Sequence, residues 1–397
     1  MAEIEKNNLL IEVNDNNFII IAGEFDDELK FNILGKEIVG SKGVKNGKII
    51  DLNESTEALK IGINRVEEKI NFVFKRAYIL LNQDDIDCIN ICGFKKLNGN
   101  QILSEDISYI LNDLKTRINE VENNKAIIHL FNTEFILDKK LIKNLPIGLY
   151  GNFYSHQLTF FLIKNDELNN LQKLLNNCNL NLNKIISKEF ISGINLAKKE
   201  KSDTFLKIII KKNNSQIIFF NDSAFNYYQN FKFGSDIILK DVSKVCSLSL
   251  SSTNKIFEDV CFDKIGPGVI NLDKRYFQNQ KFKNINLEYI KEIIDARIKE
   301  ILNIIINKNS GLKNIVSKNI PIYLFFEDEK IFSNISQIFK KNMIDQNNLK
   351  IKKISNEQFE TIKTSSELIS RGWTREAIPM IQKKKSIISR IFSIFFD

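Results

Sequence analysis

A strand-and-helix scheme that runs to about residue 200 and then restarts near Phe205 constrains this chain more than any other feature. In the first half, strands are expected at Leu9–Val13, Phe18–Gly23, Lys30–Val39 and Ala77–Leu81, where large apolar residues crowd between polar turns. A helix is expected after Asn53, with Ala58, Ile61, Val66 and Ile70 along one face. A second should start at Ser104, read as its N-cap, with Ile107, Leu111, Leu114, Ile118 and Val121 on one side. A third runs from Asp166 through Leu168, Leu171, Leu174 and Leu175. The second half opens with a meander at Phe205–Ile210, Gln216–Phe220 and Ala224–Phe231. It continues with a helix over Leu287–Lys308, a strand over Ile320–Phe325 and a helix over Lys330–Met343.

Composition agrees with two or three ordinary domains: 397 residues, 43% hydrophobic, 27% charged, with 4 Pro and 16 Gly. A net charge of +8 is modest for this length and does not mark a nucleic-acid binder, whose basic residues should cluster. The five cysteines are scattered, and the acidic start lacks the apolar core of a signal peptide, so reduced thiols in a cytosolic chain are expected. Cys88 and Cys92 share a strand pattern that would hold their sulfurs roughly 13 Å apart, too far to chelate. His129 and His156 are the only histidines, so no metal site is expected and each reads as a packed side chain. No apolar run is long enough to span a membrane.

The stretch Ala126–Lys164, with Ile128-His129, Asp138, Pro146, Gly148, Gly151 and His156, resembles a strand motif of the bacterial cell-division FtsA family, divergent members of the actin-like ATPase superfamily. Further similarities run in family order: Ser41, Gly43, Gly47 and Asp51; Ser104 and Asp106; Gly234, Asp236, Ile238 and Asp241; Arg297 and Glu300. The resemblance implies an α/β, actin-like fold with two ribonuclease-H-like halves. It implies 1–81 and 155–198 as the first half, a small α+β subdomain of SHS2 type inserted at 82–154, and 199–351 as the second half.

Such proteins bind ATP with two strand-turn-strand hairpins and a third glycine-rich turn, because backbone N–H groups must approach phosphate closely. Anchored on Gly23, the first hairpin falls on Glu12, Val13, Asn14, Asp15, Asn16 and Asn17, where Glu12 keeps a carboxylate but glycine and lysine are missing. Anchored on Gly234, the second falls on Ile209, Ile210, Lys211, Lys212, Asn213, Asn214, Ser215 and Gln216, without glycine or aspartate. The third falls on Phe325, Phe326, Glu327 and Asp328, where two acidic side chains would repel phosphate. ATP is the family's cofactor, yet no cofactor, no catalytic residue and no hydrolysis are expected here.

Residues 352–382 are polar and weakly periodic and read as a linker. Beyond them, Lys383–Asp397 forms an amphipathic helix on a wheel. Ile387, Ile388, Ile391, Phe392, Ile394, Phe395 and Phe396 lie on one half, and Lys383, Lys384, Lys385 and Arg390 supply positive charge. Such a helix lies flat on an anionic lipid surface. The resemblance implies a peripheral protein on the inner face of the cytoplasmic membrane at the division septum. It would tether the tubulin-like FtsZ polymer, with self-association and later division proteins as further partners. Lys291, Arg297 and Lys299 are candidates for the FtsZ contact. The alternatives are an ATPase that retains nucleotide through replacement residues, and an actin-like scaffold of pilus assembly.

Overall fold

The computed structural model describes residues 7–266, 268–277, 281–312, 320–343, 349–353 and 358–377. The chain divides into two compact units, the first comprising Met1–Asp203, Phe220–Tyr228 and Glu357–Asp397, the second Thr204–Phe219 and Gln229–Asn356.

The first unit opens with an antiparallel meander of β1 (Asn7–Val13), β2 (Asn17–Phe25) and β3 (Phe31–Gly40). A short ribbon, β4 (Val44–Lys45) and β5 (Lys48–Ile49), leads into α1 (Leu52–Ile70). Asp51 caps α1 by accepting from the Glu54 amide, and Asn71 ends it in the left-handed conformation. The buried face of α1 is Leu59, Gly62, Ile63 and Val66, whereas Ile61 is half exposed. Gly62 sets that face: a Cβ there would stand 2.3 Å from Ile20 Cδ1, so the helix lies close on β2. β6 (Arg76–Leu81) then pairs parallel with β1.

From Asp87 to Lys164 the chain builds a separate sheet. Its strands are β7 (Asp87–Lys96), β8 (Lys125–Leu137), β9 (Lys140–Ile142) and β10 (Phe153–Lys164), in the order β7-β10-β8-β9. α2 (Ser104–Val121) seals one face through Ile107, Ile110, Leu111, Leu114 and Ile118. Two details of this helix differ from expectation. Leu103, not Ser104, is the N-cap, with the Asp106 carboxylate accepting its amide, and Val121 at the last turn is exposed. The boundary expected between 154 and 155 falls inside β10, an inner strand of this sheet. α3 (Asn165–Asn177), β11 (Asn181–Ser187) and α4 (Lys188–Glu200) return to the first sheet, whose order is β11-β6-β1-β2-β3.

The second five-stranded sheet has the order β14-β13-β12-β15-β16. Its strands are β12 (Phe205–Ile210), β13 (Ser215–Asn221), β14 (Ala224–Phe231), β15 (Ile322–Phe326) and β16 (Leu349–Lys353). Helices α5 (Asp236–Cys246), α6 (Leu250–Asp259), α7 (Leu287–Leu302) and α8 (Glu329–Asn342) accompany it. Ile290, Ile294, Ile298 and Ile301 bury the inner face of α7, and one π turn over Asn303–Asn307 ends it short of Lys308.

The stretch expected as a linker holds the end of β16 and α9 (Gln358–Arg371), which packs on α4. Its buried face mixes Ile362, Leu368 and Ile369 with Thr361, Thr364, Ser365 and Ser366. The two serine hydroxyls are satisfied within the helix, Ser365 Oγ donating to Thr361 O at 2.6 Å and Ser366 Oγ to Lys363 O at 2.7 Å, and Thr364 Oγ1 donates to Asn195 Oδ1 of α4. Burial is therefore tolerated, and the helix reads as polar in sequence. The amphipathic tail Lys383–Asp397 lies outside the described residues.

Candidate functional site

The first candidate turn, Asn14–Asn16, joins β1 to β2 and carries no glycine. Glu12, at the end of β1, is 2% exposed, and its Oε1 accepts from Lys188 Nζ at 2.5 Å. Lys188 opens α4, so a cation from the same unit neutralises this carboxylate. The turn itself is held from several sides. Asn14 Oδ1 accepts from Asn82 Nδ2 at 3.1 Å, and Asn14 Nδ2 donates to Asn17 Oδ1 at 3.2 Å. Ser41 Oγ reaches the carbonyls of Asn14 and Asp15, and the Asp15 carboxylate accepts from the Gly47 amide at 2.8 Å.

The second candidate turn, Lys211–Asn214, is closed by the Lys211 amide donating to Asn214 O at 2.9 Å. Its carbonyls at Lys211 and Lys212 accept from the Ser235 and Asp236 amides at 2.9 and 3.0 Å, which docks the start of α5 on the turn. Gly234 makes that approach possible, since a Cβ there would stand 2.2 Å from Lys211 O. The third turn meets the second directly. The Glu327 carboxylate accepts from the Lys212 amide at 2.9 Å, and the Glu327 amide donates to Ile210 O at 3.1 Å. A carboxylate of the chain thus sits on a backbone N–H of the turn where an anion would be sought.

The three cationic candidates on α7 do not converge. Lys291 donates to the Ile265 carbonyl, and Arg297 is paired with Asp241 and with Glu300, the latter at 2.7 Å. Lys299 pairs with Asp295 at 2.8 Å. Burial raises the Asp295 pKa, but the Lys299 and Asn342 hydrogen bonds outweigh it and hold the carboxyl below its ordinary value. Beside this helix lie apolar groups that sequence reasoning missed. Val269, Ile270 and Phe282 before α7 and Tyr289 on it are exposed, and the Leu287 amide bonded to Ile270 O ties the 269–270 segment to the start of the helix. An isolated exposed apolar residue carries no periodic signal, so their exposure could not be read from the sequence.

Both histidines are wholly buried, as their packed reading requires. His129 Nδ1 lies 2.7 Å from Glu376 Oε1, and His129 Nε2 accepts from the Ser187 amide at 3.0 Å. The second contact fixes the tautomer: Nε2 is bare, so Nδ1 carries the proton and donates to Glu376. Lys184 Nζ approaches the same carboxylate oxygen at 3.1 Å. Burial lowers the His129 pKa against the opposing pull of Glu376. His156 Nε2 bonds Asn132 Oδ1 at 2.9 Å, and burial, with Arg375 nearby, pushes its pKa down to about 3. Sequence gave no sign of Glu376, which lies 247 positions from His129. Burial pushes the Cys88 thiol up to about 12, away from nucleophilic use. Among the described residues no group of three or more His, Cys, Asp or Glu could hold a metal ion, and no helix is long and apolar enough to cross a membrane.

No protein-family model matches the chain. It is 25% identical over 318 residues to the cell division protein FtsA of Buchnera aphidicola subsp. Schizaphis graminum, covering 77% of this chain and 74% of that one. It is 20% identical to FtsA of Neisseria meningitidis serogroup B over 75% of this chain and 72% of the relative. Among solved structures, a PilM-PilN type IV pilus biogenesis complex chain aligns with a TM-score of 0.51 at 10% identity, covering 91% of this chain and 95% of that one. At that identity the likeness establishes the fold alone.

Proposed function

We propose that this divergent FtsA-like chain of actin fold is a cell-division adaptor that tethers an FtsZ-like tubulin-type polymer to the inner face of the cytoplasmic membrane without hydrolysing ATP. The coarser part, a cell-division actin-like protein, rests on the curated relatives. The finer part rests on the two turns. Their polar groups are committed within the chain, above all the Lys212 amide to the Glu327 carboxylate and the Glu12 carboxylate beside the first turn to Lys188. A nucleotide would have to displace a carboxylate at the one turn and find no glycine cradle at either. The residues do not fit ATP, and this supports an adaptor that works without a nucleotide switch.

In this reading, the four-stranded sheet with α2 is the SHS2-type subdomain, and it contacts neighbouring copies and later division proteins. The polymer's peptide engages the second unit beside α7. There the exposed Lys299, beside Asp295, faces an acidic partner, Lys291 holds the Ile265 carbonyl at the edge of the contact, and Val269, Ile270, Phe282 and Tyr289 offer apolar contact. Arg297, held between Asp241 and Glu300, shapes that face rather than reaching out. The tail Lys383–Asp397 supplies the membrane contact. Each basic residue near an anionic leaflet contributes roughly 1 kcal/mol, so Lys383, Lys384, Lys385 and Arg390 act together and clustering along a polymer adds avidity. Replacing Phe392 and Phe395 with Glu should release the protein from anionic vesicles while leaving its unfolding transition in place. Retained sedimentation with lipid, or loss of the fold, would remove the tether reading.

A further inference from the structure

The residues that follow α9 are fastened to the first unit at nearly every position. Trp373 Nε1 donates to Ser223 O at 2.5 Å and its ring meets Phe190 edge-on. Arg375 donates to Asp222 O and Lys143 O, both at 3.1 Å, and lies over the Phe135 ring. The Asn132 amide donates to Arg375 O at 2.9 Å, and the Ala377 amide donates to Leu130 O at 2.6 Å. Between these two bonds Phe131 and Glu376 form an antiparallel bridge. β8 has room for this. One side pairs with β10, but β9 covers the other side only at Phe135–Leu137. The segment therefore extends the sheet at its uncovered stretch, as an added strand does.

Glu376 makes the docking all-or-none. Its side chain is 1% exposed, Oε1 meets His129 and Lys184, and Oε2 has no hydrogen-bond partner among the described residues. A buried carboxylate of this kind is stable only while both partners stay in place, and His129 is in turn held by the Ser187 amide at the cap of α4. Partial detachment would strand a charge in the core.

We infer that Trp373–Ala377 is a strap that docks and releases as one unit, fixing the root of the following tail to β8. Whatever the tail engages is thereby coupled to the four-stranded sheet. Release would free the six residues 372–377 and lengthen the tail's reach by about 20 Å.

The full chain carries its own reporter, because Trp373 is the only tryptophan. Tryptophan emission and hydrogen–deuterium exchange, read on peptides covering 128–133 and 372–377, test the strap without lipid or partner. The two peptides should exchange at one common rate. In Glu376→Ala both should speed up by about tenfold or more, with red-shifted, quencher-accessible emission, while peptides of β1 and β2 hold their protection. Arg375→Ala, which leaves the buried charges alone, should move the same readouts in the same direction by less. Independent exchange of the two peptides, or unchanged Trp373 emission in both variants, would overturn the strap. Should Glu376→Ala not fold, the parent's common rate and Arg375→Ala decide.

Discussion

The turns Asn14–Asn16 and Lys211–Asn214 each join neighbouring strands and each carry no glycine, yet they satisfy their polar groups in opposite ways. At the first, a buried carboxylate, Glu12, is matched by Lys188, while the side chains of Asn14, Asn17 and Asn82 bond to one another in the turn. At the second, an exposed carboxylate, Glu327, rests on a single backbone amide. Burial is what separates them. A charge kept from water must be partnered at all times, whereas a carboxylate in water exchanges its hydrogen bond at little net expense. The first turn is thus rigid by electrostatic necessity and the second is held by geometry, through Gly234 and the start of α5.

The contrast is sharpest under acid, because both histidines lie in the first unit and none in the second. His156 has a folded pKa of about 3 against an unfolded value near 6.5. Below pH 6.5 the unfolded chain binds the proton and the folded one does not, so stability is full above that pH and falls down to the folded pKa. The loss should reach about 4 kcal/mol by pH 3, with His129 adding in the same direction. Hydrogen exchange resolved by peptide should show the first unit loosening with pH before the second; equal loosening would break the comparison. Lys188→Met comes next, since it leaves Glu12 buried without its cation, and urea unfolding should show a loss of about 3 kcal/mol. Gly234→Ala drives a methyl into Lys211 O and should cost about 1–3 kcal/mol by opening the second turn. Glu327→Ala, the smallest, should change stability by no more than about 1 kcal/mol. If it matched Lys188→Met, the two turns would not differ in kind.

The fold was legible where apolar residues keep a period. β12, β13 and β14 follow the expected meander closely, and α2 buries its expected stripe up to Ile118 together with Ile110. It failed where burial has no apolar signature. Gly62 turns α1 toward β2 and leaves Ile61 outside, and Ser365 and Thr364 line the buried face of a helix expected as linker. At the candidate site, the missing glycines were readable from sequence alone. The pairing of Glu327 with Lys212 and of His129 with Glu376 joins residues 115 and 247 positions apart, which no local pattern encodes.

The adaptor reading is tested most directly by sedimenting a tubulin-like division polymer with anionic vesicles, with and without this chain, in the absence and presence of Mg-ATP. The account predicts that the chain carries the polymer into the lipid pellet and that ATP leaves the amount unchanged. Polymer that stays in the supernatant, or that pellets only with ATP, would contradict it.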